Sequence, residues 1–217
     1  MLEEKIDFKK CDEVGTILYV AIDKKYVGYV LIADKIKQDS SKTIRELKAM
    51  NIKETVMLTG DKKEVGEYVA KKLNMDKVYT ELLPDGKVEK VEELLKQKSE
   101  KGKLVFVGDG INDAPVLTIS DIGVAMGGLG SDAAIEAADI VIMTDETSKI
   151  SKAINLSKKT MRIVRENIIF AIFVKIAVLV LTAFGASTMW EAVFADVGVS
   201  VIAIINALRM LNIKKFE

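Results

Sequence analysis

Leu104-Val105-Phe106-Val107-Gly108-Asp109-Gly110-Ile111-Asn112-Asp113-Ala114-Pro115 decides how this chain folds. Four apolar residues in a row make a buried strand, and the glycines behind them let the backbone turn sharply and approach a ligand. Asp109, Asn112 and Asp113 fall on that turn. Ligands of open parallel sheets sit at the carboxyl ends of the strands. Clustered oxygen donors there suit a hard cation such as Mg²⁺ that holds a phosphoryl group. The plainer reading of the same residues is a solvated Asp/Asn/Gly loop.

Two further stretches fit the same kind of site. Thr55-Val56-Met57-Leu58 reads as a strand that ends in Thr59-Gly60-Asp61, and Val65, Val69 and Leu73 then recur at four-residue steps in a helix over 62–73. Thr59 at a strand end offers a hydroxyl and a backbone N–H to a phosphoryl oxygen. Taken alone, the tripeptide is an ordinary helix N-cap turn. Leu83-Pro84-Asp85-Gly86-Lys87 opens a helix over 88–98, with Lys87 placed to neutralise phosphoryl charge. A single lysine in so lysine-rich a chain is otherwise a surface residue.

Composition narrows the chemistry. The 217 residues balance 32 Lys and Arg against 32 Asp and Glu, so global charge gives no argument for nucleic acid. Histidine is absent, which excludes every mechanism built on imidazole. The one cysteine, Cys11, excludes a disulfide framework and reads as an idle thiol. The charged start, residues 1–11, is no signal peptide.

Beyond residue 167 the chain turns apolar. Residues 168–184 carry one charge, Lys175. After a Gly185-Ala186-Ser187-Thr188 break, residues 189–211 form a second apolar run, with Glu191, Asp196, Asn206 and Arg209 as its strongly polar members. Each run can cross a bilayer, for which roughly 20 helical residues suffice. A buried soluble hairpin is the alternative. Lys158, Lys159, Arg162 and Arg165 precede the first run, Arg209, Lys214 and Lys215 close the second, and the connecting turn has neither Lys nor Arg. That asymmetry puts both ends in the cytoplasm and Trp190 at the outer interface. Lys175 and Asp196 each carry an insertion cost of about 2.5–3.5 kcal/mol, so they pair or are used.

The three loop motifs, in this order, resemble the phosphorylation domain of P-type ATPases, a branch of the haloacid-dehalogenase-like fold. The family pattern is Thr-Gly-Asp, then a lysine after a Pro-x-x step, then Gly-Asp-Gly-x-Asn-Asp-x-Pro. The resemblance implies that Asp109 is the principal Mg²⁺ ligand, with Asn112 and Asp113 completing the loop, and that Thr59, Gly60, Asp61 and Lys87 contact the phosphoryl group. Phe173-Val174-Lys175 and Ala195-Asp196-Val197-Gly198 resemble the zinc/cadmium/lead branch of the heavy-metal P-type ATPases. There Asp196 would be a ligand of the transported ion and Lys175 its countercharge. The family's phosphorylated Asp-Lys-Thr-Gly-Thr does not occur here, nor does a Cys-Pro-Cys pair. The expected partners are therefore lipid, a divalent metal and the missing amino-terminal part of a pump, with ATP as the substrate of the complete enzyme.

These readings give an α/β chain: an incomplete Rossmann-like parallel sheet lacking the nucleophile strand, followed by a transmembrane helical hairpin. The expected parts are a β-hairpin remnant of a nucleotide-binding domain (1–33), a partial phosphorylation domain (34–147) and a coupling helix (148–167). Membrane helices at 168–186 and 189–211 and a cytoplasmic tail at 212–217 complete the chain. Strands are expected at 55–58, 78–80, 104–107, 123–126 and 140–143, and helices at 43–50 and 132–138. Without the central strand the sheet should have a gap and lose stability. The implied function is part of a plasma-membrane efflux ATPase for zinc, cadmium or lead, inactive alone. The alternatives are a soluble phosphatase of the same superfamily and a non-catalytic membrane partner of an intact pump.

Overall fold

The computed structural model describes residues 7–8, 11, 15–32, 35–127, 132–185 and 189–211. It divides into two units, Met1–Lys149 and Ile150–Glu217.

The first unit opens with an antiparallel hairpin of β1 (Thr16–Ile22) and β2 (Lys25–Ile32). Asp23 and Lys24 both take positive φ, 49° and 58°. That two-residue turn matches the right-handed twist of the strands it joins. One face of the hairpin is aromatic, with the Tyr19 ring 4.6 Å from Phe8 and 6.4 Å from both Tyr26 and Tyr29.

Helix and strand then alternate as the sequence leads one to expect. The order is α1 (Ser40–Ala49), β3 (Val56–Leu58), α2 (Lys63–Leu73), β4 (Lys77–Tyr79), α3 (Pro84–Gln97) and β5 (Val105–Gly108). A 3₁₀ turn (Ile111–Asp113), α4 (Ala114–Ile119), β6 (Ile122–Met126), α5 (Asp132–Ala137) and β7 (Ile140–Ile142) follow. Two boundaries differ in substance. α3 starts at Pro84 rather than at residue 88, because proline's fixed φ and missing N–H suit a first helical turn. Lys87 thus lies inside the helix. The 3₁₀ turn and α4, with Pro115 in its first turn, have no counterpart among the expected elements. Of the two residues that could cap α5, Ser131 lies outside the described residues and Asp132 is the first helical residue.

All pairings after the hairpin are parallel. They form two separate sheets, β3–β4 and β5–β6–β7, with no strand hydrogen-bonded between them. The expected gap is therefore present among the described residues. Leu117, Ala125 and Ala134 form a buried core against which Phe106 and Val141 pack. A Cβ on Gly123 would stand 2.6 Å from the Leu117 carbonyl oxygen, so only glycine lets α4 lie this close to β6.

One device recurs at the amino ends of the parallel strands. Asp76 accepts from the Thr55 N–H (2.8 Å) and hydroxyl (2.7 Å), fastening β3 to β4. Asp121 accepts from the Leu104 N–H (2.8 Å), fastening β5 to β6, and Asp139 accepts from the Gly123 N–H (2.8 Å), fastening β6 to β7. Each aspartate stands immediately before the second strand of its pair. The Lys48 ammonium and the Thr55 donors hold the Asp76 carboxyl down to about 2. The Leu104 N–H and then Lys98 do the same for Asp121, also to about 2.

Asp39 stands at the start of α1 but does not cap it. Its carboxylate instead accepts from the Ser148 N–H (2.8 Å) at the start of α6 (Ser148–Ala183), while the Thr43 and Thr147 hydroxyls meet at 3.2 Å. Burial raises the Asp39 pKa, but the Ser148 N–H and the Thr147 hydroxyl outweigh it and leave the carboxyl below its ordinary value.

The second unit holds most of α6, then α7 (Met189–Leu208) and a 3₁₀ turn (Arg209–Leu211). Stretches Ser148–Ala183 and Val193–Leu211 are long and apolar enough to cross a membrane, with mean hydropathy 2.1 and 1.8 over their most apolar windows. Their most apolar windows are 0% and 6% buried, whereas the core helix of a soluble protein is mostly covered. The connecting turn at 186–188 and the tail at 212–217 lie outside the described residues.

Asp121 and Asp76 carry depressed carboxyl pKa values, so their stabilisation is complete above about pH 4 and fades as pH falls toward 2. Asp121→Asn should cost about 1–2 kcal/mol at pH 7. The difference from the parent should close near pH 2. Thermal melts of the full chain in detergent across that range check this. A difference independent of pH would contradict the ionised clamp.

Candidate functional site

The three sequence motifs meet at the carboxyl ends of β3 and β5. The Thr59 carbonyl accepts from the Leu82 N–H (3.1 Å), and a Cβ on Gly60 would lie 3.3 Å from the Leu82 carbonyl oxygen. The Thr59 loop is thereby seated beside the entry to α3. From the first turn of α3, Lys87 reaches Asp113 in the 3₁₀ turn after β5, with Nζ 2.8 Å from Oδ1. Asp113 is only 8% exposed, and this ammonium offsets the cost of burying its charge.

Gly108 makes that packing possible. A Cβ there would meet Asp113 Oδ2 at 2.8 Å and Asp113 Cβ at 2.9 Å. Gly110 differs, since its nearest neighbours would stand 3.9 Å from a Cβ. Internal packing needs the first glycine and not the second.

The individual site residues fall out as follows. Asp109 is exposed and has no side-chain hydrogen bond or ion pair among the described residues. Asn112 is exposed beside it. Lys87 and Asp113, expected to touch phosphoryl and cation separately, touch each other. The Thr59 hydroxyl donates to Asp61 Oδ2 (2.8 Å) and accepts from the Asp61 N–H (3.1 Å). The expectation that the Thr59 N–H is open to a ligand is corrected: it donates to the Tyr79 carbonyl (2.9 Å), because the parallel ladder of β3 and β4 runs one residue past Leu58. Among the described residues no three His, Cys, Asp or Glu side chains gather as a metal cluster. The donors present still suit Mg²⁺, which takes one or two carboxylates and fills its octahedron with water and phosphate oxygens. Asp109 is the unpartnered carboxylate of that set.

In the second unit, Lys175 Nζ lies 3.1 Å from Asp196 Oδ1, and both side chains are 64% exposed. The two side chains therefore meet between α6 and α7. Lower in the hairpin, a polar ladder that sequence reading did not assemble joins α6 to α7. Asn167 Nδ2 donates to the Ala203 carbonyl (3.1 Å), Asn206 Nδ2 donates to Asn167 Oδ1 (2.8 Å), and Arg209 donates to Asn206 Oδ1 (2.8 Å). The only sequence signal is Asn206 within the second apolar run and Asn167 one residue before the first.

An α/β unit with phosphate-type loops at its strand ends, joined in sequence to two membrane-length helices, defines a class. Residues 2–118 match the family model for haloacid dehalogenase-like hydrolases. The chain belongs to the haloacid dehalogenase-like hydrolase family and corresponds to the carboxy-terminal region of heavy-metal P-type ATPases. It is 55% identical over 214 residues to a cadmium, zinc and cobalt-transporting ATPase of Bacillus subtilis (strain 168), covering 99% of this chain and 30% of that protein. It is 53% identical over 207 residues to a zinc-transporting ATPase of Synechocystis sp. (strain ATCC 27184 / PCC 6803 / Kazusa), covering 95% and 29%. The crystal structure of a zinc-transporting PIB-type ATPase in its E2.Pi state superposes with a TM-score of 0.82 at 35% identity, over 90% of this chain and 31% of that one. The chain thus spans about 30% of the length of the curated relatives it matches.

Gly108→Ala should destabilise the chain by about 1–3 kcal/mol, because the new Cβ overlaps Asp113. Gly110→Ala should stay within about 0.5 kcal/mol. Chemical denaturation of the two variants checks the contrast, and equal effects would remove the packing role given to Gly108.

Proposed function

We propose that this chain acts as part of an ATP-driven efflux pump for divalent soft metal ions such as zinc, cadmium or lead. The observation that carries the reading is the Lys175–Asp196 pair, 3.1 Å apart between two helices of membrane length. Two ionisable groups kept in such helices are costly unless they serve a site. The relatives, a cadmium, zinc and cobalt-transporting ATPase and a zinc-transporting ATPase, point the same way. In this reading Asp196 is an intramembrane ligand of the transported ion, and Lys175 replaces the ion's charge when it departs. The remaining ligands come from outside this chain.

In the α/β unit, Asp109 with Asn112 and Asp113 holds Mg²⁺, and Thr59, Gly60, Asp61 and Lys87 line the phosphoryl position. Mg²⁺, when bound, neutralises phosphoryl charge. Lys87 is held ready by Asp113 at the same edge. No residue here takes the phosphoryl group covalently. The break between the two parallel sheets suits a strand that brings the phosphorylated aspartate from the amino-terminal part of the pump, and pairing with it would raise stability. Residues 1–33 serve as a remnant of the nucleotide-binding domain, 34–147 as the partial phosphorylation domain and 148–167 as the coupling helix. The spans 168–186 and 189–211 sit in the plasma membrane with both termini cytoplasmic, as the Lys158, Lys159, Arg162 and Arg165 group before the first span favours.

Two measurements test this. The purified chain with Mg²⁺ and ATP should show no sustained turnover; turnover abolished by Asp109→Asn would overturn the assignment. Co-expressed with a polypeptide that supplies the Asp-Lys-Thr-Gly-Thr and Cys-Pro-Cys segments, the chain should restore cadmium or zinc tolerance to sensitive cells. Asp196→Asn should remove that tolerance, and indifference to it would refute the intramembrane site.

A further inference from the structure

We infer that Asn167 and Asn206 are positioning residues: their interhelical amide bond fixes which turn of α7 stands opposite Lys175. The observation is the ladder in which Asn206 Nδ2 donates to Asn167 Oδ1 at 2.8 Å and Asn167 Nδ2 donates to the Ala203 carbonyl at 3.1 Å. Arg209 continues it, donating to Asn206 Oδ1 and standing 3.5 Å from Glu166.

Register needs such a device here. Helices in lipid gain nothing from hiding apolar surface against each other, so an apolar seam alone slides easily. Apart from the asparagines, the half-buried and buried positions of the two apolar stretches are mostly small or aliphatic, including Ala171, Val174, Ala195 and Val199. The ion pair is a poor ruler. Both of its side chains are 64% exposed on the flank of the hairpin, and the lysine stem can follow its partner over several ångströms. The asparagines are short, half-buried and directional. A slip of one turn, about 5.4 Å, breaks both amide bonds at once.

The spacing agrees. From Asn167 to Lys175 is about 12 Å of helix, and from Asn206 back to Asp196 about 15 Å, at 1.5 Å per residue. The remaining offset of about 3 Å is within the reach of a lysine stem. The amide bond therefore sets the height at which the acid and the amine meet. The inference rests on Lys175 and Asp196 forming the ion site only for its consequence, not for its geometry.

The test is thiol cross-linking in the full chain, in lipid vesicles, on a Cys11→Ser background and without metal. Lys175→Cys is combined either with Asp196→Cys or with Ser200→Cys one turn away, and a short bifunctional thiosulfonate joins the thiols. With both asparagines intact, the 175–196 product should exceed the 175–200 product by about three- to tenfold, the ratio one interhelical side-chain bond sustains. Asn206→Leu should bring that ratio near one, and Asn206→Gln should recover most of it. Asn167→Val provides a second route should Asn206→Leu not insert. An unchanged ratio in either apolar variant overturns the clamp, as does a ratio near one in the parent. Because no metal is present, failure here leaves the efflux reading standing. Tolerance indifferent to Asp196, with the ratio intact, would remove that reading and leave the clamp.

Discussion

A carboxylate that is 8% exposed needs a cation beside it, and in the α/β unit that need falls on Asp113 and Lys87. Removing one partner of a buried pair costs several kcal/mol, because the survivor keeps its charge without its solvent. The pair also does geometric work. Lys87 belongs to the helix that follows β4, and Asp113 to the turn that follows β5. With no ladder between the two parallel sheets, this bridge draws their carboxyl ends together. The Thr59 loop joins through Leu82, two residues before the same helix. Asp109 is then left unpartnered at an edge already assembled by its neighbours, the condition under which a carboxylate can bind a cation without first giving up a partner.

The sequence was readable where local chemistry decides and opaque where partners lie far apart. Asp23-Lys24-Lys25 between two apolar runs suffices for the hairpin, and the apolar runs ahead of Thr59 and Gly108 suffice for β3 and β5. Periodicity could not show the 3₁₀ turn and α4, since six helical residues are shorter than the window over which a stripe can be counted. Nothing in the residues around Asp39 marks its role. Its partner is the N–H of Ser148, more than a hundred residues on, and no local pattern carries such a pairing. Asp76, Asp121 and Asp139 left a fainter trace, an acid directly before a short apolar strand three times over. Their role follows from the parallel arrangement, in which the first N–H of one strand faces the loop that enters the next.

The helical hairpin divides its labour by chemistry. Charged groups with long stems tolerate displacement, while short amides do not. Placing the first on the exposed flank and the second in the seam lets the ion pair respond to its surroundings while the helices keep their relative height. A pair that also had to hold register could not separate without loosening the helices. A seam without the amides would leave the pair to find its own level.

The gap in the α/β unit follows a related logic. An open parallel edge exposes unpaired N–H and C=O groups and invites wrong partners. Here the exposed edges are short, three residues in β3 and four in β5. Short edges limit the ladder any intruding strand can form, and the aspartate clamps hold each half-sheet in register from its amino end. The two halves can therefore keep their internal pairing without a ladder to join them. A strand arriving there would meet two preformed edges and, at their carboxyl ends, Lys87 already held by Asp113 beside an unpartnered Asp109. Most of the ordering entropy of such a site is then met before the strand arrives, so docking need fix only the incoming residues.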